Sequence, residues 1–450
     1  MAKQEEIKDF TKGPILMPLI QFALPVLFAL VLQAMYGAID LLVVGKYGSA
    51  ADVSAVSTGS QLMTTITGMI ASFSMGTTIL LGQQIGQGKG KESGKTIGSS
   101  ICFFAVIGIV VTVILGVGSR RLAGMMHAPT EAYTKTANYI LICGLAALII
   151  ISYNLIGAVF RGLGDSRTPL LTVGIACAAN IAGDLFMCGV IGMGTEGVAI
   201  ATVLAQAISV AASILLIRKR KLPFRFEKSD VYFDRKIIKR VVFFGAPVAV
   251  QDFLVGMSFL VIAAIVNSLG LIPSAGVGVA EKVCAFIMLV PSSFMQSLAA
   301  IVSQNYGAGK YSRAYKTLQI AIILSITAGI VMAYVTFFHG EILAGIFSKD
   351  AEVIAAAADY LKAYAIDCLL TAFMFCFVGF YNGIGKTRFV MLQGICGAFL
   401  VRVPLSFVFS KITPISLFRI GLATPSSTIL QIILCVTVLV FVRKEWKEKG

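Results

Sequence analysis

Three short polar stripes interrupt the apolar first half of the chain and have the side chains to do chemistry. Within each stripe the residues are spaced three, four or seven apart, so that they share one face of a helix. The stripes consist of Gln33, Tyr36 and Asp40; of Asn180 and Asp184; and of Thr202 and Gln206. We expect the three faces to turn toward one another, because polar side chains in apolar helices need partners.

The oxygen atoms of these stripes suit a small cation. The carboxylates of Asp40 and Asp184, the amide of Asn180 and the hydroxyl of Thr202 would supply hard oxygen ligands of the kind Na⁺ accepts. The same two carboxylates, desolvated and mutually repulsive, also suit the carriage of a proton. The structural alternative is that these residues only hydrogen-bond neighbouring helices, and it is strongest for Thr202 because threonine is common in membrane helices.

The elements that must position these residues are membrane helices. The chain has 450 residues, of which 57% are hydrophobic and only 13% charged, whereas soluble domains are about 25% charged. We read twelve apolar segments long enough to cross a bilayer. They are residues 15–44, 54–82, 96–118, 134–159, 169–191, 195–217, 239–267, 274–302, 316–338, 353–380, 389–410 and 415–442.

Charge indicates orientation and location. The net charge is +15, which could suggest nucleic acid, but most of the Lys and Arg residues fall on the two termini and on alternate loops. By the positive-inside rule, both termini face the cytoplasm. We therefore expect a multi-pass protein of the plasma or inner membrane, in contact with the lipid bilayer, with no nucleic-acid partner, and monomeric.

Several motifs of the first half recur in the same order in the second. The pairs are FALP with FGAP (Phe22–Pro25, Phe244–Pro247), QQIGQGK with QNYGAGK (Gln83–Lys89, Gln304–Lys310) and RGLGDSR with NGIGKTR (Arg161–Arg167, Asn382–Arg388). Ordered repetition of this kind indicates a duplication. It predicts an all-α membrane protein of two six-helix bundles related by pseudo-two-fold symmetry. The bundles are residues 1–217 and 239–450, joined by a basic cytoplasmic loop over 218–238.

The chain resembles the MATE family (multidrug and toxic compound extrusion), and within it the DinF-like branch and its bacterial multidrug relatives. The resemblance covers essentially the whole chain. It rests on Pro25, Gln33, Tyr36 and Asp40, on GKYG at Gly45–Gly48, the turns at Gln83 and Gln304, GxGDSRTP at Gly162–Pro169, Asn180 with Asp184, and GVAIAT at Gly197–Thr202. No single motif is specific, but their combination at these positions is.

The resemblance implies antiport and a V-shaped central cleft between the two lobes. H⁺ or Na⁺ would flow in while an amphipathic, often cationic, drug or toxic compound is expelled, with no other cofactor. It assigns the coupling cation, Na⁺ if a metal, to Asp40, Asn180, Asp184 and Thr202. We expect substrate contacts at Gln33, Tyr36, Met63, Asn154 and Gln206, because membrane amides need partners, aromatic faces attract organic cations and Met repacks easily. Pro25 is the expected hinge.

The second half carries Asp252, Glu281, Asp367 and Arg402 in its spans. One interpretation is internal ion pairing, for instance of Arg402 with one of the acids. The other is a second cation route or a negatively charged wall for cationic cargo. Where the family's other bacterial branch has its acid in span 7, this chain has Val255, so a second-half coupling site would depend on Asp367.

Three other classes of membrane protein fit the sequence less well. A lipid-linked oligosaccharide flippase of the same superfamily would need several Arg side chains to clamp pyrophosphate, and the spans offer only Arg402. A membrane enzyme is disfavoured, because the nine Cys and two His residues form no zinc-like spacing and no nucleophile motif is present. An ATP-driven pump is excluded by the missing GxxxxGK[ST] motif.

Overall fold

The computed structural model describes residues 9–219, 224 and 226–448. These residues form helices, turns and short loops, and no strand occurs among them. The first half contains α1 (Leu16–Tyr47), α2 (Ala50–Gly86), α3 (Gly90–Met125), α4 (Thr130–Leu145), α5 (Ala147–Leu163), α6 (Arg167–Asp184) and α7 (Gly194–Lys219).

The second half is built in the same way. It contains α8 (Arg235–Asn267), α9 (Leu271–Ile287), α10 (Leu289–Gly307), α11 (Tyr311–Phe338), α12 (Gly340–Gly345), α13 (Ala351–Gly383), α14 (Thr387–Cys396), α15 (Val403–Lys411), α16 (Leu417–Gly421) and α17 (Ala423–Glu448). A 3₁₀ turn covers Lys228–Asp230, between the halves.

The predicted twelve membrane spans are confirmed. Within the described part of the chain, eleven helical segments are long and apolar enough to cross a bilayer. The twelfth span is the pair α4 and α5, which bends by 55° between Leu145 and Ala147. Sequence hydropathy does not reveal this bend, because the apolar run continues through it.

Two spans change helical pitch in their middle. After α6 the chain forms a π-helical segment, Leu185–Val190, and a second π-helical segment, Gly397–Arg402, joins α14 to α15. Such segments often mark functional sites, because the wider turn re-aims the neighbouring side chains. Asp184 is the last residue before the first segment, and Arg402 is the last residue of the second.

The chain divides into two compact units, and the division differs from the predicted one. Unit 1 contains residues 24–249 and the segment before Gly13, whereas unit 2 contains Gly13–Ala23 and the chain from Val250 onward. The described part of the predicted inter-lobe loop and the first half of α8 therefore belong to unit 1. Close packing of α2 against the first half of α8 contributes to this division. A Cβ on Gly76 would lie 2.2 Å from the Val241 carbonyl oxygen, so only glycine permits this approach.

Hydrogen bonds also fix the segment after the predicted loop in unit 1 and the segment before α1 in unit 2. In unit 1, the Ser99 hydroxyl donates to the Tyr232 carbonyl at 2.9 Å. In unit 2, the Arg313 guanidinium donates to the Gly13 carbonyl at 2.7 Å. Segments that the sequence places in a loop or in the other half are thus fixed by side-chain bonds that hydropathy cannot reveal.

Candidate functional site

The three polar stripes of the first half lie on α1, α6 and α7, and the structure brings them together inside unit 1. The Thr202 hydroxyl donates to Asp40 Oδ2 at 3.3 Å, and the Asn180 amide donates to Thr202 Oγ1 at 3.4 Å. Asp184 is fully buried and interacts electrostatically with Asp40. We call Asp40, Asn180, Asp184 and Thr202 the carboxylate cluster.

The carboxylate cluster has more acceptors than donors. Asp40 Oδ1, Asn180 Oδ1 and both carboxylate oxygens of Asp184 are buried and have no hydrogen-bond partner among the described residues. Leaving a buried acceptor unsatisfied costs about 1–3 kcal/mol, and more for a charged group. A bound cation or proton would remove this cost. The oxygen ligands of the cluster therefore fit Na⁺ or H⁺.

The cluster is poor in ligands for a tightly held transition metal. No group of three or more His, Cys, Asp or Glu side chains is placed to hold a metal ion in the described chain. The cluster instead combines two carboxylates with an amide and a hydroxyl. Hard, mixed oxygen donors favour ions such as Na⁺ over Zn²⁺ or copper.

A cavity of about 310 Å³ in unit 1 adjoins the cluster. All five residues predicted to contact substrate line it, together with two members of the carboxylate cluster. The lining includes Gln33, Tyr36, Asp40, Met63, Asn154, Thr202 and Gln206. The predicted cargo contacts and two of the four predicted cation ligands therefore line the same cavity.

Hydrogen bonds orient several of the cavity side chains. The Gln33 amide donates to the Tyr153 hydroxyl at 2.9 Å, and the Tyr36 hydroxyl donates to the Val173 carbonyl at 2.9 Å. The Asn154 amide donates within its own helix to the Ile150 carbonyl. Gln206 differs, because its buried Oε1 has no hydrogen-bond donor among the described residues.

The structure adds two residues to the site that sequence reasoning missed. Tyr139 and Cys143 are almost fully buried on α4, line the cavity and interact with Asp40. Their i, i+4 spacing was the available signal, because it places both on one face of the fourth span. Neither residue is charged, so the cost of burying charge did not single them out.

Arg161 lies beyond the predicted fourth span, which ends at residue 159, and the structure corrects this boundary. It lies within α5, which continues to Leu163 and ends at Gly164 in the left-handed conformation (φ 87°). Its guanidinium Nη1 lies 3.3 Å from where a Cβ on Gly157 would stand, so the side chain runs back along α5. Its buried Nε has no partner among the described residues.

The second-half candidates form a different arrangement inside unit 2. Asp367 is buried, and it accepts hydrogen bonds from Thr428 at 2.6 Å and from Thr371 at 3.1 Å. The Arg402 guanidinium lies near enough to Asp367 to interact electrostatically, although no direct salt bridge joins the two within the described chain. Its Nη1 donates to the Ser258 hydroxyl at 3.4 Å.

The remaining second-half residues surround this arrangement to different degrees. Glu281 interacts with Tyr360, which also interacts with Asp367 and Arg402, and the buried Glu281 Oε1 has no hydrogen-bond partner among the described residues. Asp252 lies on α8 with its side chain exposed. Pro25, the predicted hinge, lies inside α1, which is helical on both sides of it.

The fold and the site together define a class of protein. Twelve membrane-spanning helices in two related units, with buried carboxylates beside a polar cavity, are the construction of a membrane transporter. The MatE family model matches residues 25–186 and again residues 247–408. The chain therefore belongs to the MatE family, and the double match agrees with the internal duplication.

Curated relatives and solved structures resemble the chain over nearly its full length. The probable multidrug resistance protein YoeA of Bacillus subtilis is 24% identical, covering 95% of this chain and 93% of the relative. The multidrug export protein MepA of Staphylococcus aureus is 21% identical, covering 91% and 90%. An outward-facing multidrug resistance MATE transporter of the MOP superfamily has a TM-score of 0.90 at 17% identity, covering 99% of each chain.

Proposed function

We propose that the protein is a multidrug efflux antiporter. It would export amphipathic, often cationic, organic compounds in exchange for H⁺ or Na⁺, with the coupling ion held by Asp40, Asn180, Asp184 and Thr202. The relatives described above are named for multidrug resistance or multidrug export, which supports this class of cargo. No chemical step on the cargo is required.

The observation that carries the proposal is the position of the coupling acid on the same helical face as the cargo contacts. Gln33 and Tyr36 precede Asp40 on one face of α1, and all three line the unit 1 cavity. A movement of α1 that depends on the charge of Asp40 would therefore also move two of the side chains that line the cavity. This links ion binding to cargo affinity without a separate relay.

The proposed cycle follows from charge. With Asp40 and Asp184 ionised, the cluster attracts a cation; with the cation bound, their mutual repulsion falls and α1 can repack against α6 and α7. Bending at Pro25, or around Gly37, would allow this, since proline removes a helical hydrogen bond. A Cβ at Gly37 would meet no atom within 4 Å, so the helix has room there. The repacked cavity loses affinity for cargo.

The test is transport by the purified protein in proteoliposomes, with a fluorescent organic cation such as ethidium as cargo. A proton gradient and a sodium gradient are imposed separately. We expect at least one gradient to drive cargo movement and the Asp40→Asn variant to abolish the driven component while leaving the protein folded.

Glu131→Gln is the matched control, because Glu131 is an exposed carboxylate of the same unit. It should leave transport unchanged. Cargo movement driven by neither gradient would contradict antiport. Full gradient-driven activity in Asp40→Asn would contradict the coupling site while leaving the transporter class intact.

A further inference from the structure

A second cavity in unit 1 is an apolar groove that follows α5 between α3 and α7. Its volume is about 560 Å³, which is within the range of about 300–1,000 Å³ that is typical of ligand sites. None of its lining residues lines the polar cavity beside the carboxylate cluster. The apolar groove is therefore a separate site, and the proposed transport cycle does not use it.

The dimensions of the apolar groove match one leaflet of a bilayer. Phe104, Ile151 and Leu163 line it and are almost fully buried, whereas Ile101 and Ile214 line it and are exposed. The lining extends for about 12 Å along α3 and along α7, at 1.5 Å per residue. One leaflet contributes about 15 Å to the hydrocarbon core of a bilayer. A single lipid chain could therefore lie in the groove along its length.

The helices on both sides of the apolar groove are apolar where they are exposed. Ile109 of α3 and Leu215 of α7 are each more than half exposed. The mean hydropathy of these two spans is 2.8 and 2.3. Exposed aliphatic side chains on such apolar spans contact lipid tails, so lipid is available at the rim of the groove.

Charge is present at one end of the apolar groove only. Arg218, in the last turn of α7, is the one charged residue of the lining. It directly follows the apolar segment that ends at residue 217, and the positive-inside rule assigns this end of α7 to the cytoplasm. A basic side chain at this level attracts anionic headgroups and repels organic cations. The charge therefore favours an anionic lipid over cationic cargo as the occupant.

A side chain from the segment between the two halves lies at the same end. Phe226, beyond the end of α7, lines the apolar groove, and the adjacent Glu227 does not. The segment that follows is fixed against α3, because the Ser99 hydroxyl donates to the Tyr232 carbonyl at 2.9 Å. The ring of Phe226 thus covers part of the groove near the level of the headgroups.

The corresponding positions of unit 2 hold larger side chains. The spacing that relates RGLGDSR to NGIGKTR carries Ser152 to Phe373 and Ile156 to Phe377. Ser152 and Ile156 line the apolar groove, whereas the two phenylalanine rings of unit 2 contact each other with centres 5.0 Å apart. The duplication therefore placed aromatic rings in unit 2 at positions that leave space in unit 1.

We propose that the apolar groove binds one acyl chain of an anionic membrane phospholipid. The chain lies along α5 and contacts both α3 and α7. The guanidinium of Arg218 binds the phosphate group, as its paired N–H donors allow, and Phe226 covers the part of the chain next to the headgroup. The bound lipid connects α3 to α7, and its binding does not depend on the coupling ion or on cargo.

The test uses phosphatidylglycerol that carries a photoreactive diazirine in one acyl chain. The full-length protein in a neutral detergent is irradiated with this lipid, and the labelled residues are identified by mass spectrometry of peptides. We expect saturable labelling of the residues that line the apolar groove. Unlabelled phosphatidylglycerol should compete at a concentration about tenfold lower than phosphatidylcholine does, the value of one charge-assisted hydrogen bond.

Two variants, each with a matched control, test the chain and the headgroup separately. Ile156→Phe introduces the ring that Phe377 supplies in unit 2, and it should reduce labelling of the groove about tenfold. Val113→Phe makes a similar enlargement on the exposed face of α3 and should label as the parent does. Arg218→Gln should remove the preference for phosphatidylglycerol over phosphatidylcholine, whereas Arg240→Gln, an exposed position of α8 in the same unit, should keep it.

The contrary outcomes are equally specific. Labelling of the exposed face around Val113 to the same extent as the groove would overturn the site, because lipid would then cover unit 1 uniformly. Unchanged labelling in Ile156→Phe, or an unchanged headgroup preference in Arg218→Gln, would also overturn it. Competition by the fatty acid oleate at the same concentration as by phosphatidylglycerol would reject the phospholipid as the occupant.

Discussion

The two units bury carboxylates in opposite ways. In unit 1, Asp40 and Asp184 lie together, and three of their four carboxylate oxygens have no donor among the described residues. In unit 2, Asp367 receives two hydroxyl hydrogen bonds and lies near the Arg402 guanidinium. The carboxylate cluster of unit 1 contains no positively charged side chain, whereas Asp367 of unit 2 lies near the guanidinium of Arg402.

This difference shows that the duplication preserved the scaffold and not the chemistry. Pro25 of the first half corresponds to Pro247 of the second, and the same spacing carries Asp40 to Ile262, a buried core residue of unit 2. The matching Gly164 and Gly385 likewise carry Asp184 to Leu405. The buried carboxylates of the two units therefore occupy different positions of the repeat.

The largest expected effect separates the two buried acids by transport. Asp184→Asn should reduce gradient-driven cargo movement to the level of protein-free liposomes, because one carboxylate cannot replace the pair. Asp367→Asn should keep most of the transport rate. The measurement is the initial rate of cargo movement at equal protein content, and loss of transport in Asp367→Asn alone would reverse the roles assigned to the two units.

Sequence reasoning predicted the parts of this comparison that depend on the cost of burying charge. Twelve spans, the residues of the carboxylate cluster, and Asp367 and Arg402 followed from apolar length and from polar residues inside it. The structure then placed Asp40, Asn180, Asp184 and Thr202 together, as their helical spacing indicates. Whether they couple transport remains a prediction.

The sequence could not supply what depends on packing. Thr428 was not selected, because a threonine in a membrane helix is common and only its 2.6 Å bond to Asp367 distinguishes it. Arg161 was assigned to a loop, because its neighbours Gly162 and Gly164 are typical of turns. The boundary of unit 1 inside α8 depends on the close approach of Gly76 to Val241, which no hydropathy pattern contains.

The next effect tests whether the positive charge of Arg402 stabilises the buried carboxylate of Asp367. Arg402→Gln should destabilise the protein by about 3 kcal/mol, because it leaves a buried carboxylate without its nearby positive charge. Adding Asp367→Asn should cost less than the sum of the single variants, with a coupling of about 1 kcal/mol or more. Unfolding in mixed micelles measures this cycle, and strict additivity would show that the two side chains act independently.

A smaller effect distinguishes the hydroxyl groups of the two clusters. Thr428→Val removes a short hydrogen bond to a buried carboxylate and should cost about 1–3 kcal/mol of stability. Thr202→Val removes contacts of 3.3 and 3.4 Å, which are long, and should cost under about 1 kcal/mol while weakening ion-driven transport. If Thr202→Val destabilises the protein more than Thr428→Val does, the carboxylate cluster of unit 1 contributes to stability rather than to ion coupling.

The smallest effect concerns one buried glutamine in each unit. Gln206 lines the unit 1 cavity, and its Oε1 has no hydrogen-bond partner in the part of the chain that the structure describes. Gln431 is buried in unit 2 and donates to the Ser427 hydroxyl at 3.1 Å. Gln206→Leu should weaken cargo affinity about two- to tenfold, the value of one hydrogen bond, without lowering the maximal rate. Gln431→Leu should lower the unfolding temperature and leave cargo affinity unchanged.

Concentration dependence of transport separates the two results, since an acceptor used by cargo changes the half-saturating concentration and a structural amide does not. Equal cargo affinity in the parent and in Gln206→Leu would remove Gln206 from the cargo site and leave Gln33, Tyr36 and Asn154 as the predicted polar contacts to cargo.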